Sequence, residues 1–277
     1  MHGTPGSRSG PRPRTIVLHR LGVRLISYDR PGYGESSRQQ ARAVFHAAED
    51  VLRIAEHLGL DRFAIVGRSG GGPHAMACAA HEELAARITK LAVLVSLAPA
   101  TADGLDWYEG MNDLNRAEYS SIDRDESGAL STLIKQTLEI QRDPESLLRT
   151  LDPQLADADR RVVEDMGIRR LLTETYSEAL RCNEDGWLDD VLAFRRHWGF
   201  EPAEISSAIP TLLWHGADDG FSPVRHTIWL SRQIPHAESW VQRGAAHFTA
   251  VEVLPSILAW VTAPKDVRFT ADPALAR

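Results

Sequence analysis

The sequence predicts an α/β fold in which a mostly parallel central sheet carries helices on both faces. The first observation is that short apolar segments rich in β-branched residues alternate with longer segments of helical periodicity. The second is that this alternation stops between residues 102 and 206, where the pattern indicates amphipathic helices and almost no strand. We therefore predict a core built from residues 1–101 and 207–277, with an all-helical insertion at 102–206.

The individual elements follow from apolar runs and from the turn residues that bound them. Helical periodicity extends from Ala41 to Leu58, and Gly59 stands where a helix C-cap belongs. Pro255 lies in the last helical segment and is expected to kink that helix or to mark its start. The polar tail from Pro264 is expected to be loosely held. The predicted strands are Val23–Tyr28, Arg62–Val66, Leu91–Leu97, Thr211–Trp214 and Glu238–Val241, and the other predicted helices cover 14–20, 74–80 and Pro223–Gln233.

Composition limits the classes of function. A chain of 277 residues with 43% apolar content can bury a full core. Its net charge of −7 does not favour nucleic acid or an anionic membrane as a partner, and no apolar run approaches membrane-spanning length. The two cysteines, Cys78 and Cys182, lie far apart and suggest no disulfide framework. We expect a cytoplasmic protein that acts on a small molecule, with homo-oligomerisation left open.

The most informative stretch is Ile65–Pro73. An apolar run stops at Gly67, Ser69 follows between glycines, and a helical segment begins after it. This is the G-x-S-x-G pattern of a nucleophile elbow, in which a strained turn between strand and helix lifts a serine hydroxyl clear of the sheet. The N-terminus of the following helix directs free N–H groups towards any anion that forms beside the serine.

Two other interpretations of the same region are weaker. Gly70–Ala75 formally fits the dinucleotide fingerprint G-x-G-x-x-A. That fingerprint also requires an acid about 20 residues further on, at the end of the second strand. The acids found there, Glu82 and Glu83, follow a predicted helix instead. No histidine or cysteine spacing indicates a metal site, so we expect neither a cofactor nor a metal.

A serine needs a base, and the base needs an acid that orients it. His247 is the candidate base because it lies in a glycine-rich turn between a predicted strand and the last helix. Asp219 is the candidate acid, with Asp218 and Asp103 as rivals. Each of Ser69, Asp219 and His247 follows a predicted strand, and ligands of parallel sheets bind beyond the carboxyl ends of the strands.

Two backbone N–H groups are expected to hold the oxyanion that forms when the serine attacks. One is that of Gly70, the residue after the nucleophile, and the other is that of Thr4 in the His2–Gly6 loop. His2 and His215 are expected to be structural, bonding nearby loop backbone, and His74 is expected to be an ordinary helix residue.

Five motifs follow one another along the chain: His2–Gly6, Asp29–Ser36, Gly67–Gly71, His215–Asp219 with Pro223, and Gly244–Phe248. Together, and in this order, they resemble the α/β-hydrolase superfamily over nearly the whole chain. The H-G-x-x-D-x-x-x-P register of the resemblance places the catalytic acid at Asp219 rather than Asp218. The resemblance implies a serine hydrolase with a helical cap that cleaves an ester through an acyl-enzyme on Ser69. Amide or peptide hydrolysis, as in the proline-iminopeptidase-like branch, haloperoxidase-like, lyase or C–C hydrolase chemistry, and a non-catalytic or truncated protein are the alternatives.

The chain departs from the family at its start. In the family the loop corresponding to His2–Gly6 follows a central strand, whereas here only Met1 precedes it. That strand would lie between Val23–Tyr28 and Arg62–Val66, and its absence would separate these two by about 10 Å, twice the usual spacing. We expect either that the sequence starts inside a longer natural protein or that the sheet is repaired, by direct pairing of the two strands or by a partner's strand. For the chain as it stands we expect low stability or compromised activity.

Overall fold

The computed structural model describes residues 1–271 and confirms the α/β fold. Within these residues one sheet contains four parallel strands, which neighbour one another in chain order. Parallel strands need crossover connections, and helices provide them here. The strands are β1 (Phe63–Arg68), β2 (Ile88–Leu94), β3 (Thr211–Gly216) and β4 (Glu238–Gln242).

The helices fall into three groups along the chain. Four precede β2 or lie between β1 and β2: α1 (Thr15–Arg20), α2 (His46–His57), α3 (Gly71–Ala80) and α4 (Glu82–Ala85). Six lie between β2 and β3: α5 (Asp113–Arg124), α6 (Glu126–Arg142), α7 (Ser146–Leu151), α8 (Asp157–Glu164), α9 (Met166–Ala179) and α10 (Asp185–Arg195). Two follow β3: α11 (Val224–Gln233) and α12 (Thr249–Thr262).

The sheet is buried on both faces. Successive side chains of β2 alternate between two apolar clusters: Leu91 and Val93 pack with α3 and α11, whereas Ala92 and Leu94 pack against α12. A strand covered on both faces favours apolar side chains, which is why the second half of β2, Leu91–Leu94, is a continuous hydrophobic run. This core fixes the strand ends from which the candidate site is built.

The segment between β2 and β3 is helical, as predicted, and contains no strand. This segment also packs against the core. Trp107, in a turn before α5, is buried and stacks edge-on with Tyr119 of α5 and with His226 of α11. The division into a core and a cap at residues 102–206 stays a prediction.

The prediction of a buried strand at Val23–Tyr28 is wrong. The segment forms no ladder, its only backbone N–H bond runs from Val23 to the Leu18 carbonyl of α1, and Leu25 is 42% exposed. It does not pair directly with β1, because a cavity of about 410 Å³ lies between them. A β-branched sequence alone does not make a strand when no neighbouring edge lies within hydrogen-bonding distance.

Among residues 1–271, the backbone hydrogen bonds to the open edge of β1 lie near its carboxyl end. The Met1 nitrogen donates to the Val66 carbonyl (2.6 Å), and the Arg68 N–H donates to the Met1 carbonyl (3.3 Å). Met1 therefore occupies one position of a neighbouring strand. Below it the cavity is bordered by Ile26, Ala64 and others.

Three further boundaries differ from prediction. Helix α2 begins at His46 rather than Ala41, because Ala41 has a left-handed φ of +55° that ends helical geometry. Strand β2 begins and ends three residues earlier than predicted. Helix α12 continues through Pro255, which therefore does not mark its start.

The tail is held more firmly than predicted as far as residue 271. Phe269 is 2% exposed and packs edge-on against Trp240 of β4, with 5.4 Å between ring centroids. The Lys90 ammonium donates to the Pro264 carbonyl (2.9 Å). The rest of the predicted loose tail, residues 272–277, lies outside the described residues. Among the helices of residues 1–271, none combines the length and apolar character needed to cross a membrane.

Candidate active site

Ser69 lies on a strained turn between β1 and α3. Its φ is +55°, and its N–H donates to the Leu94 carbonyl at the end of β2 (2.8 Å). The turn is tight enough that a Cβ on Gly67 or on Gly71 would collide with neighbouring backbone. Glycines at both positions let the strand and helix approach, and the serine is held in the conformation that the elbow pattern predicts.

Ser69, His247 and Asp219 come together at the carboxyl end of the sheet. The Ser69 Oγ lies 3.0 Å from His247 Nε2, and His247 Nδ1 lies 2.9 Å from Asp219 Oδ2. The elements that carry them are the β1–α3 turn, the loop after β3 and the loop after β4. A base that is hydrogen-bonded to a hydroxyl on one side and to a carboxylate on the other can take the hydroxyl proton.

The Asp219 carboxylate is buried and heavily hydrogen-bonded. Its Oδ1 accepts from the N–H groups of Phe221 (2.7 Å) and Ser222 (3.0 Å), and its Oδ2 lies 3.2 Å from His215 Nε2. Burial opposes ionisation, but the neighbouring His247 and the bonds from both histidines hold the pKa of Asp219 below its ordinary value. Asp219 is therefore a permanent anion beside the His247 ring.

The rival acids lie elsewhere. Asp218 is exposed and donates its N–H to the Ala245 carbonyl, and Asp103 is exposed, with its carbonyl accepting from Trp229. Neither carboxylate is hydrogen-bonded to His247. His215 is structural, as predicted, with Nδ1 2.7 Å from the Thr227 hydroxyl.

Thr4 and Gly70, the residue after Ser69, are in close contact. A Cβ on Gly70 would collide with the Thr4 side chain. Neither of their backbone N–H groups donates a hydrogen bond to any residue from 1 to 271. An unpaired backbone N–H beside an attacking serine can donate to the oxyanion that forms.

The His2–Gly6 loop is anchored by Arg30. The guanidinium donates to the His2 carbonyl (2.6 Å), to the Gly3 carbonyl (3.0 Å) and to the Thr4 hydroxyl (3.1 Å). His2 is structural, as predicted: its Nδ1 lies 2.8 Å from the Gly3 carbonyl, and its Nε2 accepts the Arg30 N–H. These bonds fix the loop that carries the Thr4 N–H.

Asp190 of α10, which the sequence analysis did not single out, is the centre of this anchor. Its carboxylate is fully buried and accepts from Arg30 (2.5 Å), from Arg42 (2.6 Å) and from the Tyr33 hydroxyl (2.8 Å). Burial opposes its ionisation, but the two guanidinium groups hold the pKa of Asp190 well below the usual range. Its sequence context, one of several acids in an acidic helical region, gave no signal of this role.

The expectation that His74 is an ordinary helix residue is wrong. Its ring is fully buried, with Nε2 3.2 Å from Asp190 and Nδ1 3.3 Å from the Val44 carbonyl. Burial and the nearby Arg30 charge lower its pKa to about 4. His74 is therefore a neutral member of the Asp190 cluster at neutral pH.

Asp159 of α8 is a second residue that the sequence analysis missed. Its carboxylate accepts the N–H groups of His247 (3.0 Å), Phe248 (2.6 Å) and Thr249 (3.3 Å). Burial raises its pKa to about 6, with a contribution from the Asp219 charge. Asp159 thus caps the start of α12 and fixes the backbone of the His247 loop.

A cavity of about 330 Å³ opens onto Ser69 and His247. Glu118 of α5 lines it and accepts a hydrogen bond from Trp187 Nε1 (3.2 Å). Removal from bulk water raises the pKa of Glu118 to about 7. Most of the other lining side chains are apolar, including Leu97, Leu114, Ile122, Leu133, Leu147, Leu151 and Phe221. Among residues 1–271 no cluster of three or more His, Cys, Asp or Glu side chains could hold a metal ion.

The chain is similar to several known proteins. A curated non-heme haloperoxidase of Rhodococcus erythropolis is 24% identical over 231 residues, which is 82% of this chain and 76% of that protein. The crystal structure of an enol-lactonase from Burkholderia xenovorans LB400 is similar with a TM-score of 0.63 and 17% identity, covering 94% of this chain and 86% of that one. A malate-bound thermophilic esterase from Thermogutta terrifontis gives a TM-score of 0.60 and 20% identity, covering 95% of this chain and 89% of that one.

These structural likenesses show a shared fold, and a sequence comparison identifies the family. A model of the family described as alpha/beta hydrolase fold matches residues 1–252. The match includes Ser69, Asp219 and His247 and covers most of the chain. The chain belongs to the alpha/beta hydrolase fold family.

Proposed function

We propose that this protein is a serine hydrolase that cleaves a small-molecule ester through an acyl-enzyme on Ser69. The observation that carries the proposal is the unbroken hydrogen-bonded series from Ser69 Oγ through His247 to Asp219. It lies beside two free backbone N–H groups, those of Thr4 and Gly70, and opens onto the cavity. A hydrolase of this family is supported by the match to the family, and the catalytic roles are our assignment.

In the first half of the reaction Ser69 Oγ attacks the ester carbonyl while its proton passes to His247 Nε2. The Nδ1–H of the resulting imidazolium donates to Asp219, whose negative charge stabilises it. The carbonyl oxygen becomes an oxyanion and accepts from the Thr4 and Gly70 N–H groups. When the tetrahedral intermediate collapses, His247 returns the proton to the leaving alkoxide, and an alcohol departs.

In the second half a water molecule takes the place of the alcohol. His247 accepts a proton from this water as it attacks the acyl carbon. The second tetrahedral intermediate collapses with the proton returned to Ser69, which releases a carboxylic acid. The Arg30 and Asp190 contacts keep the Thr4 N–H in position through both halves.

We propose an ester rather than an amide as the substrate because of the size and lining of the cavity and the names of two structural neighbours. The cavity is small and mostly apolar, which suits a compact substrate rather than a peptide. Two structural neighbours are named as an esterase and an enol-lactonase, and a lactone is a cyclic ester. We further propose that residues 102–206 act as a cap, since their helices supply most of the cavity wall.

A fluorophosphonate probe tests the proposal directly. We expect it to label the wild-type protein and to leave Ser69→Ala unlabelled, because the probe reacts only with a serine activated beside a formed oxyanion pocket. Hydrolysis of a p-nitrophenyl ester faster than that of the matching anilide would then assign ester over amide. Folded wild-type protein that takes no label would overturn the catalytic assignment.

A second candidate activity is suggested by the name of the curated haloperoxidase relative. Hydrogen peroxide could replace water in attacking the acyl group on Ser69, which would release a peracid able to oxidise a halide. The assay is bromide oxidation in the presence of hydrogen peroxide and acetate, with Ser69→Ala as the control. Equal rates for both proteins would exclude this route.

The cytoplasmic location also remains part of the proposal. Its support is the use of cysteine: Cys78 is buried and free, and Cys182 is exposed and free. Free thiols of this kind are common in reducing compartments. Fractionation of the native host, with the protein followed by antibody, would test it.

A further inference from the structure

Arg68, the residue before the nucleophile, is a buried cation with no partner. Its side chain is 9% exposed, and its guanidinium donates no hydrogen bond to any residue from 1 to 271. The other two buried arginines, Arg30 and Arg42, both form ion pairs with Asp190. Arginine stays ionised in proteins, so burying it without a partner is costly and calls for an explanation.

The guanidinium borders the same cavity as the nucleophile. A methyl group placed on Gly3 would lie 3.5 Å from Ser69 Cβ and 3.6 Å from Arg68 Nη2, so one small space separates the two side chains. Arg68 is therefore close enough to contact a molecule whose carbonyl is attacked by Ser69.

The nearest acids do not neutralise Arg68. Asp159 and Asp219 attract its charge through space, but neither forms an ion pair with it. Asp159 is committed to the N–H groups that begin α12, and Asp219 to His247 and the loop after β3. Since each carboxylate already has its own partners, the anion that completes Arg68 has to come from outside the described residues 1–271.

We propose that the substrate carries a carboxylate and that Arg68 binds it. A guanidinium presents paired N–H donors that match the two oxygens of a carboxylate, and a pair formed away from water is stronger than one on the surface. This proposal rests on the hydrolase function proposed above and specifies its substrate class. The substrate is a half-ester, an ester or lactone that also bears a free acid.

The position of Arg68 also assigns the carboxylate to the acyl half of the substrate. His247 has to protonate the departing alkoxide, so the leaving group lies on the His247 side of Ser69. Arg68 lies against Gly3, on the side of the His2–Gly6 loop. The acyl chain is left to extend towards Arg68.

The test compares two esters with the same leaving group: the p-nitrophenyl monoester of glutaric acid, and the same compound with its carboxylate replaced by a carboxamide. We expect wild-type kcat/KM to favour the acid by about 10- to 100-fold, the usual range for one charge-assisted pair. Arg68→Gln should abolish the preference, because it removes the charge that pairs with the carboxylate, and Arg68→Lys should keep part of it. Arg170→Gln, which removes an exposed arginine of α9, should keep the full preference.

Two further arms make the outcome decisive. The acetyl ester of p-hydroxybenzoate carries the carboxylate on the leaving group, and a preference for it over the acetyl ester of p-hydroxybenzamide would overturn the acyl-side assignment. Binding is also measured without turnover. Glutarate, but not glutaramide, should raise the melting temperature of wild type and of Ser69→Ala, and not that of Arg68→Gln.

The two proposals fail differently. A protein that takes the fluorophosphonate label and hydrolyses both glutaryl esters equally would overturn the role of Arg68 and leave the hydrolase function standing. A protein with no label and no turnover that is still stabilised by glutarate through Arg68 would do the reverse. If Arg68→Gln does not fold, the absence of a glutarate-specific shift in Ser69→Ala is enough to overturn the carboxylate proposal.

Discussion

The carboxyl end of strand β1 and its open edge, the side away from β2, lie in different environments. At the carboxyl end Ser69 is fixed by the Leu94 carbonyl and by His247. Three groups near this end have no hydrogen-bond partner among residues 1–271, namely the Thr4 and Gly70 N–H groups and the Arg68 guanidinium. Thr4 and Arg68 line the cavity beside Ser69. Free polar groups at this end are therefore consistent with function.

Along the open edge the free groups do not converge on any reacting side chain. Met1 contacts Val66 and Arg68, and the alternation of a parallel strand places Ala64 on the same edge, facing the cavity of about 410 Å³. Backbone groups that face a cavity without partners cost stability. The comparison teaches that unpaired polar atoms indicate a site only where their geometry serves a common ligand.

The largest effect is expected at the carboxyl end. Ser69→Ala should lower kcat by about 10⁴- to 10⁶-fold, because the relay has no nucleophile, while residual catalysis comes from the oxyanion donors and binding. The melting temperature should hardly change, since alanine keeps the backbone of the turn. Ester hydrolysis and a thermal melt on the same preparation check both statements. A loss of folding together with activity would mean that Ser69 supports structure instead.

The anchor of the oxyanion loop should show the next largest effect, on stability. Asp190→Ala leaves Arg30 and Arg42 buried without their carboxylate, which is expected to cost about 3–5 kcal/mol in the free energy of unfolding. Urea denaturation measures it. The matched control is Asp143→Ala, an exposed acid paired with Arg149, which should leave the urea midpoint unchanged. Similar losses of stability for the two variants would show that the buried cluster does not depend on Asp190.

Leucine-to-alanine substitutions at two positions compare the packing of β2 with that of the segment beside the open edge of β1. Leu91→Ala removes a fully buried side chain of β2 and is expected to cost about 2–5 kcal/mol, whereas Leu25→Ala, at a half-exposed position, should change stability by about 0.5 kcal/mol or less. Hydrogen exchange should agree, with fast amides in residues 24–28 and slow ones in β2. A large cost at Leu25 would mean that this segment packs as a strand after all.

The smallest effect is a pH dependence in the cavity. The folded pKa of Glu118 is raised from its ordinary value of 4.5 to about 7, so the folded state binds this proton more tightly than the unfolded chain. The resulting stability is present below pH 4.5 and is lost as pH rises through 7. Glu118→Gln, which cannot ionise, should lose less stability between pH 5 and pH 7.5, as measured by urea midpoints across that range. Parallel pH profiles for the two proteins would contradict the assignment.

The sequence by itself determined the fold class and indicated Ser69, Asp219 and His247, which the structure brings within hydrogen-bonding distance of one another. The segments that form β1, β2 and β3 contain apolar runs, and such runs favour strands that are buried on both faces of a sheet. Gly67, Ser69 and Gly71 favour a turn that few other residues could adopt. Asp219 and His247 were predicted because ligands of parallel sheets bind beyond the carboxyl ends of the strands, and the family resemblance favoured Asp219 over Asp218. These signals depend on residues that are close together in the chain, so they can be recognised from the sequence alone.

Only the tertiary structure decided which distant side chains hold that site. Asp190 and Asp159 come from α10 and α8, and nothing in an acidic helical stretch separates a buried carboxylate from a solvated one. Val23–Tyr28 has strand composition, yet a strand needs an edge within hydrogen-bonding distance, and that edge is a property of the assembled sheet. The unpaired state of Arg68 is likewise visible only when all its neighbours are in place. Pairing and burial depend on the whole chain at once, which is why no segment of the sequence could reveal them.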